Sequence, residues 1–187
     1  LNVHRSTIYR ILKNERLSKQ EVGLIKKDIK INAKSSIRSL LKIVKSDEYP
    51  DRSRWLSLVL IGKTMGKRSV PLMKKYLKHE HWMIRSAAVK ALTSLKQKKL
   101  NGEYKDLLKD KSFVIRQQVL ETISSLRMNQ LEKDVLRMLG DRSNYISTKD
   151  GLVASEVVKK AVQVLATLDY KGSLPLLKKL IKSPLST

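Results

Sequence analysis

A chain of 187 residues, 41% of them apolar, is long enough to bury a sizeable core and too apolar for a disordered polyelectrolyte. The absence of cysteine excludes disulfide staples, Cys-ligated zinc and a thiol nucleophile, and fits a reducing cytoplasm. No apolar run approaches the roughly 18 residues of a membrane span, and no signal peptide is visible, although the first residue is Leu rather than Met.

The formal charge of +23 is unevenly spread: residues 1–100 carry +18 and residues 101–187 only +5. A polyanionic partner is expected, nucleic acid ahead of an anionic membrane, with an acidic protein as the alternative.

Residues 1–34 stand apart from the rest of the chain, with helices predicted over 4–13 and 18–31. The stretch Val3-His4-Arg5-Ser6-Thr7-Ile8-Tyr9-Arg10-Ile11-Leu12 resembles the recognition helix of helix-turn-helix regulators. That resemblance implies that Arg5, Ser6, Thr7 and Arg10 reach phosphates or base edges from the start of a helix. Only Leu1 and Asn2 stand where a support helix belongs. The competing reading is a cap helix that covers the first repeat with Ile8, Ile11 and Leu12.

From residue 35 onward the chain repeats. Ile84-Arg85-Ser86-Ala87-Ala88-Val89-Lys90-Ala91-Leu92 aligns with Ile115-Arg116 through Ile123 and with Val158-Lys159 through Ala166. A further copy starts at Ser53-Arg54. The aligned cations Arg54, Arg85, Arg116 and Lys159 are spaced 31, 31 and 43 residues apart, which marks an insertion of 12. It is expected between Asp141 and Val157, as a surface loop around Arg142–Gly151 rich in turn formers.

Shorter amphipathic helices accompany the long ones, over 71–78, 103–109, 131–139 and 175–182. Pro71 and Pro175 suit a first helical turn, with Ser69 and Ser173 as N-caps. Glu80, Asp110 and Asp141 close the short helices. Apolar residues three and four apart, as in Ile84, Ala87, Ala88, Ala91, Leu92 and Leu95, give one buried helical face. Ala88, Ala91, Leu92, Val119, Ile123 and Val162 are expected in the core, with no strand pairing within 50–183.

The proline, the acidic turn and the V-R-x-x-A-x-x-A-L pattern, best matched at Ile84–Leu92, resemble the HEAT family in its short bacterial form, over roughly residues 35–183. The resemblance implies an all-α fold, a HEAT-like α-α superhelix built as a solenoid of antiparallel helix pairs over 35–187. It also implies a structural ladder in which Arg54, Arg85 and Arg116 meet acidic residues of adjacent turns.

Chemistry is sparse. Gly62-Lys63-Thr64 lacks the earlier glycine of a phosphate-binding loop, since position 57 is Ser, and it sits in a helical pattern. His79 and His81, two apart, point to different sides of a helix, so neither a metal nor a cofactor is expected. HEAT-like alkylpurine DNA glycosylases share the architecture and basicity. They use an acidic residue beside aromatics, and with the first long helix read from Ser53 no Asp stands one helical turn from Trp55 or Trp82.

The expectation is therefore a non-enzymatic scaffold. Its phosphate contacts would come from Lys63, Lys67 and Arg68 in one loop, Lys96, Lys98 and Lys99 in the next, Lys74 and Lys78 on a short helix, and Arg5 and Arg10. The alternative is a protein adaptor using the mixed stripe formed by Ser86, Lys90, Thr93 and Gln97 and by Gln117, Glu121, Ser124 and Met128.

Overall fold

The structure, a computed structural model, describes residues 5–13, 17–149 and 151–169, without the side chains of residues 5–7. It comprises two compact units, residues 1–95 and 96–187. The predicted short helix over 175–182, with Ser173 and Pro175, lies outside the described residues.

In the first unit, α1 (Arg5–Leu12) and α2 (Lys19–Ile31) are followed by α3 (Ala33–Lys45), α4 (Asp51–Met65), α5 (Val70–Tyr76) and α6 (Trp82–Ser94). α2 begins at a capping box: Glu21 N–H donates to Ser18 Oγ (3.1 Å) while Ser18 N–H donates to Glu21 Oε2 (2.8 Å). The corner into α3 is pinned by the buried Asp28 carboxylate, which accepts from Ser36 Oγ (2.6 Å) and Asn32 Nδ2 (3.1 Å). α1 buries Ile8, Ile11 and Leu12 and packs on α3. α4 packs between α3 and α6, and α5 braces α6.

The second unit holds α7 (Asn101–Leu107), α8 (Phe113–Leu126), α9 (Glu132–Met138), a hairpin of β1 (Tyr145–Thr148) and β2 (Gly151–Ala154), and α10 (Glu156–Thr167). α8 packs on α7 and α10, and α9 on α10. The left-handed residues Lys96 (φ 52°), Arg127 (φ 48°) and Asp169 (φ 61°) follow the ends of α6, α8 and α10. A left-handed residue there turns the chain so that the last helical carbonyls find donors.

Ala88, Ala91, Leu92, Val119 and Ile123 are buried as expected. Val162 is not. α10 turns Val158, Ala161, Val164 and Leu165 inward and leaves Val162 half-buried on the flank.

Ser69 is no N-cap. A 3₁₀ turn over Gly66–Ser69 runs directly into α5, so Ser69 is already helical and its hydroxyl donates to Gly66 O (2.7 Å).

The expectation of no strand pairing also fails, within the insertion. Tyr145 pairs with Ala154, Ile146 with Val153, Ser147 with Leu152 and Thr148 with Gly151, antiparallel. Ser143 and Asn144 form a 3₁₀ turn at the base and Ser147 and Gly151 fall within the strands, whose Tyr-Ile-Ser-Thr and Leu-Val-Ala segments carry good strand formers. Pairing them satisfies backbone groups that a loop would leave to water. Gly151, at φ 118°, takes a conformation that a side chain would strain.

The insertion is closed at its base. Asn144 Nδ2 donates to Met138 O (3.0 Å), Tyr145 Oη to Leu139 O (2.5 Å), and Ser155 Oγ to Asn144 O. Ser155 then caps α10 through Val157 N–H (3.2 Å).

Candidate interaction surfaces

The repeat-equivalent arginines are structural. Arg54 and Arg85 are buried, at 7% and 5% exposure. Arg54 Nη1 meets Asp47 at 2.7 Å and Asp51 at 3.6 Å, and its Nε donates to Val44 O (3.2 Å). Arg85 Nη1 donates to the carbonyls of His79 (2.8 Å) and Glu80 (2.6 Å), and Arg116 Nη1 to that of Asp110 (2.6 Å).

The ladder expected from acidic side chains thus includes the backbone carbonyls of the turn, which a helix end leaves without donors. Asp110 and Asp141 keep their places in the turns by accepting from N–H groups two residues on, Ser112 (2.8 Å) and Ser143 (2.9 Å). Lys159, the departure from arginine, is an exposed cation paired with Glu156 at 2.7 Å.

The basic residues expected at phosphates are all on the surface where they are described. In the first unit Lys63 ends α4, Lys67 and Arg68 sit on the 3₁₀ turn, Lys74 is on α5 and Lys78 just beyond it, all exposed; Arg10 is exposed on α1. The side chains of Arg5, Ser6 and Thr7 lie outside the described residues. Lys96, Lys98 and Lys99 are exposed at the start of the second unit. Lys63 belongs to an unbroken helix, which rules out Gly62-Lys63-Thr64 as a phosphate loop.

The mixed stripe of the long helices becomes a real recess in the second unit. Between α8 and α10 a surface hollow of about 230 Å³ is lined by Glu121, Ser124, Ser125, Lys160, Gln163, Val164 and Thr167. Glu121 and Lys160 face each other across it at 3.3 Å. Met128 does not belong to this stripe: the left-handed Arg127 swings it into the core, where its N–H donates to Ile123 O (3.0 Å). On the first unit Trp55 Nε1 donates to Ser86 Oγ (3.5 Å), and Lys90 Nζ stands 5.0 Å from the Trp55 ring centre.

One ground for setting aside base-excision chemistry does not hold. α4 begins at Asp51, two residues before Ser53, and so puts an Asp one turn from Trp55. That carboxylate faces Arg54 and lies 3.2 Å from His81 Nε2, while Lys90 covers the indole. These contacts give Asp51 a structural employment.

The hairpin adds a surface that the repeat pattern did not announce. Tyr145 points its hydroxyl inward, whereas its neighbours Ile146 and Val153, opposite each other in register, are 56% and 50% exposed. The signal available in the sequence was the β-branched and aromatic content of Tyr145, Ile146, Thr148 and Val153 on either side of Asp150-Gly151.

Residues 70–98 match the family model of the HEAT repeat. That stretch covers α5, α6 and the turn between them, the segment with proline in its first turn and Arg85 in its register. The fold is all-α and HEAT-like. No curated protein matches the chain. Among solved structures it resembles a chain of the complex of CpcE and CpcF of phycocyanin lyase from Nostoc sp. PCC7120, with 15% identity and a TM-score of 0.54, over 97% of this chain and 71% of that one. Among the described residues no helix is long and apolar enough to cross a membrane.

Proposed function

We propose that the chain is a non-enzymatic protein-interaction scaffold that takes a partner protein in the recess between α8 and α10. The observation that carries this reading is the recess itself. It is lined by hydroxyls, an amide and one charge of each sign, and the Glu121 carboxylate beside Lys160 disfavours a phosphate backbone there. The exposed Ile146–Val153 pair of the hairpin supplies apolar contact area of the kind a protein partner buries. The structural neighbour, a chain of a two-protein complex, is in keeping with this use of the fold.

The test is affinity capture with the wild-type chain and a Ser124→Arg/Gln163→Arg variant, read by mass spectrometry. A partner retained by the wild type and lost by the variant is expected. If no protein distinguishes the two, the recess is not the site.

A second reading, phosphate contact by Lys67 and Arg68 of the first unit and by Lys98 and Lys99 of the second, joined within their own units by Lys63, Lys74 and Lys78 and by Lys96, is favoured by the exposure of all eight residues. It predicts duplex affinity that falls with salt at a log–log slope near −0.9 per contact. Replacing those first four residues by Ser should flatten the slope by roughly three to four units. Wild-type chain that ignores DNA and RNA at low salt removes this reading.

A further inference from the structure

The outer face of α2 has no use within its unit. Leu24 and Ile31 are 42% and 56% exposed and stand seven residues apart, two turns along the same side of the helix. Lys27 and Lys30 flank this pair along the helix, Lys19 and Lys26 lie further round its solvent side, Lys34 follows at the start of α3, and all five are exposed. The carboxylates nearest in sequence are already engaged, Glu21 in the capping box and Asp28 buried at the α2–α3 corner. α3, against which α2 packs, contains no acidic residue, and neither does α1. Among the described residues none of these five lysines makes an ion pair.

We infer that this face of α2 docks an acidic amphipathic helix of a partner protein, whose leucine-type side chains cover Leu24 and Ile31 and whose carboxylates meet the surrounding lysines. The inference rests on reading the chain as an interaction scaffold but concerns a different surface from the recess. Charge complementarity selects the sign of the partner. The apolar pair selects its class: a phosphate backbone gains nothing from Leu24 and Ile31, whereas a helix with apolar residues at heptad spacing repeats their separation of about 10 Å. An anionic membrane is the less favoured occupant, because an interfacial helix buries a broad apolar face and α2 offers two such side chains beside a wide basic one.

The probe is a fluorescent three-heptad peptide of leucine and glutamate, set against an isomer with the same composition but a scrambled stripe. Both are titrated with the full chain by anisotropy at several salt concentrations. Binding of the striped peptide, weakened by salt, is expected. Leu24→Ser/Ile31→Ser should weaken it at least about tenfold with little change in salt slope. Lys27→Glu/Lys30→Glu should weaken it and flatten the slope. Lys133→Glu on α9 should leave it unchanged, and helical circular dichroism should be the same for all variants. Equal binding of the scrambled isomer, or wild-type affinity in the Leu24→Ser/Ile31→Ser variant, overturns the proposal. So does displacement of the peptide by duplex DNA or phosphatidylserine vesicles whose own binding is lost in that variant. The Ser124→Arg/Gln163→Arg variant should bind the peptide normally. Loss of peptide binding alongside intact recess-dependent capture therefore removes this inference alone.

Discussion

A β-carbon added to Gly62 would lie 2.7 Å from the Cβ of Ala91, with the Ala91 Cα 3.7 Å away behind it. α4 and α6 therefore approach closely at this level, and the small residue on each side is what allows it. Helix propensity by itself favours alanine over glycine by about 1 kcal/mol. Overpacking a filled core costs about 1–3 kcal/mol, and a Cβ cannot rotate out of the way. Gly62→Ala is expected to destabilise the first unit by about 1–2 kcal/mol in urea denaturation, and Gly62→Ala/Ala91→Gly to recover most of that loss. A single variant as stable as wild type would falsify the close packing.

The buried and exposed cations of the repeat should behave differently. Arg54→Ala removes a nearly buried guanidinium from Asp47, Asp51 and the Val44 carbonyl. Since Asp47 is itself exposed, much of its share is screened, and the loss is expected at about 2 kcal/mol, mainly from the carbonyl and the packing of the stem. Lys159→Ala breaks an exposed pair with Glu156 and should change stability by less than about 0.5 kcal/mol. Thermal melts of the two variants side by side check the contrast.

Ser57 is fully buried on α4, and its hydroxyl has no hydrogen-bond partner. An unmade buried hydrogen bond costs about 1–3 kcal/mol, and alanine is the better helix former. Ser57→Ala should raise stability by about 1 kcal/mol, seen as a rise in Tm of a few degrees. A fall would mean that the hydroxyl finds a partner in solution.

Burial, with the Arg54 charge behind it, holds the His79 imidazole below the ordinary histidine value of 6.5. In the fold its Nδ1 accepts from His81 N–H at 3.1 Å, which requires the neutral ring. As pH falls through the ordinary histidine range the unfolded chain takes up the proton first. This stabilising contribution is therefore complete above that range and is lost as pH drops through the folded value. His79→Gln keeps an acceptor without titrating, so its Tm should drop less than that of wild type between pH 7.5 and 5. Identical drops would show that His79 does not contribute to the acid sensitivity.

The sequence by itself determined the helix pairs and the place of the insertion. The same short pattern recurs at 31-residue spacing, and residues fixed by that register, such as Arg85, Ala87 and Ala91, have one packing solution whenever neighbours stack. It also carried the basic surface, because lysines with no apolar neighbours in the pattern stay in water.

The tertiary structure decided what depends on geometry beyond the period. The insertion is a hairpin because Asn144 and Ser155 close its base and strand pairing satisfies the backbone between them. Met128 left the open stripe because a single left-handed residue redirects the chain. Whether Leu24 and Ile31 are covered depends on which neighbours α2 meets. A hydrophobic period fixes which side chains share a face, but not what, if anything, lies against it.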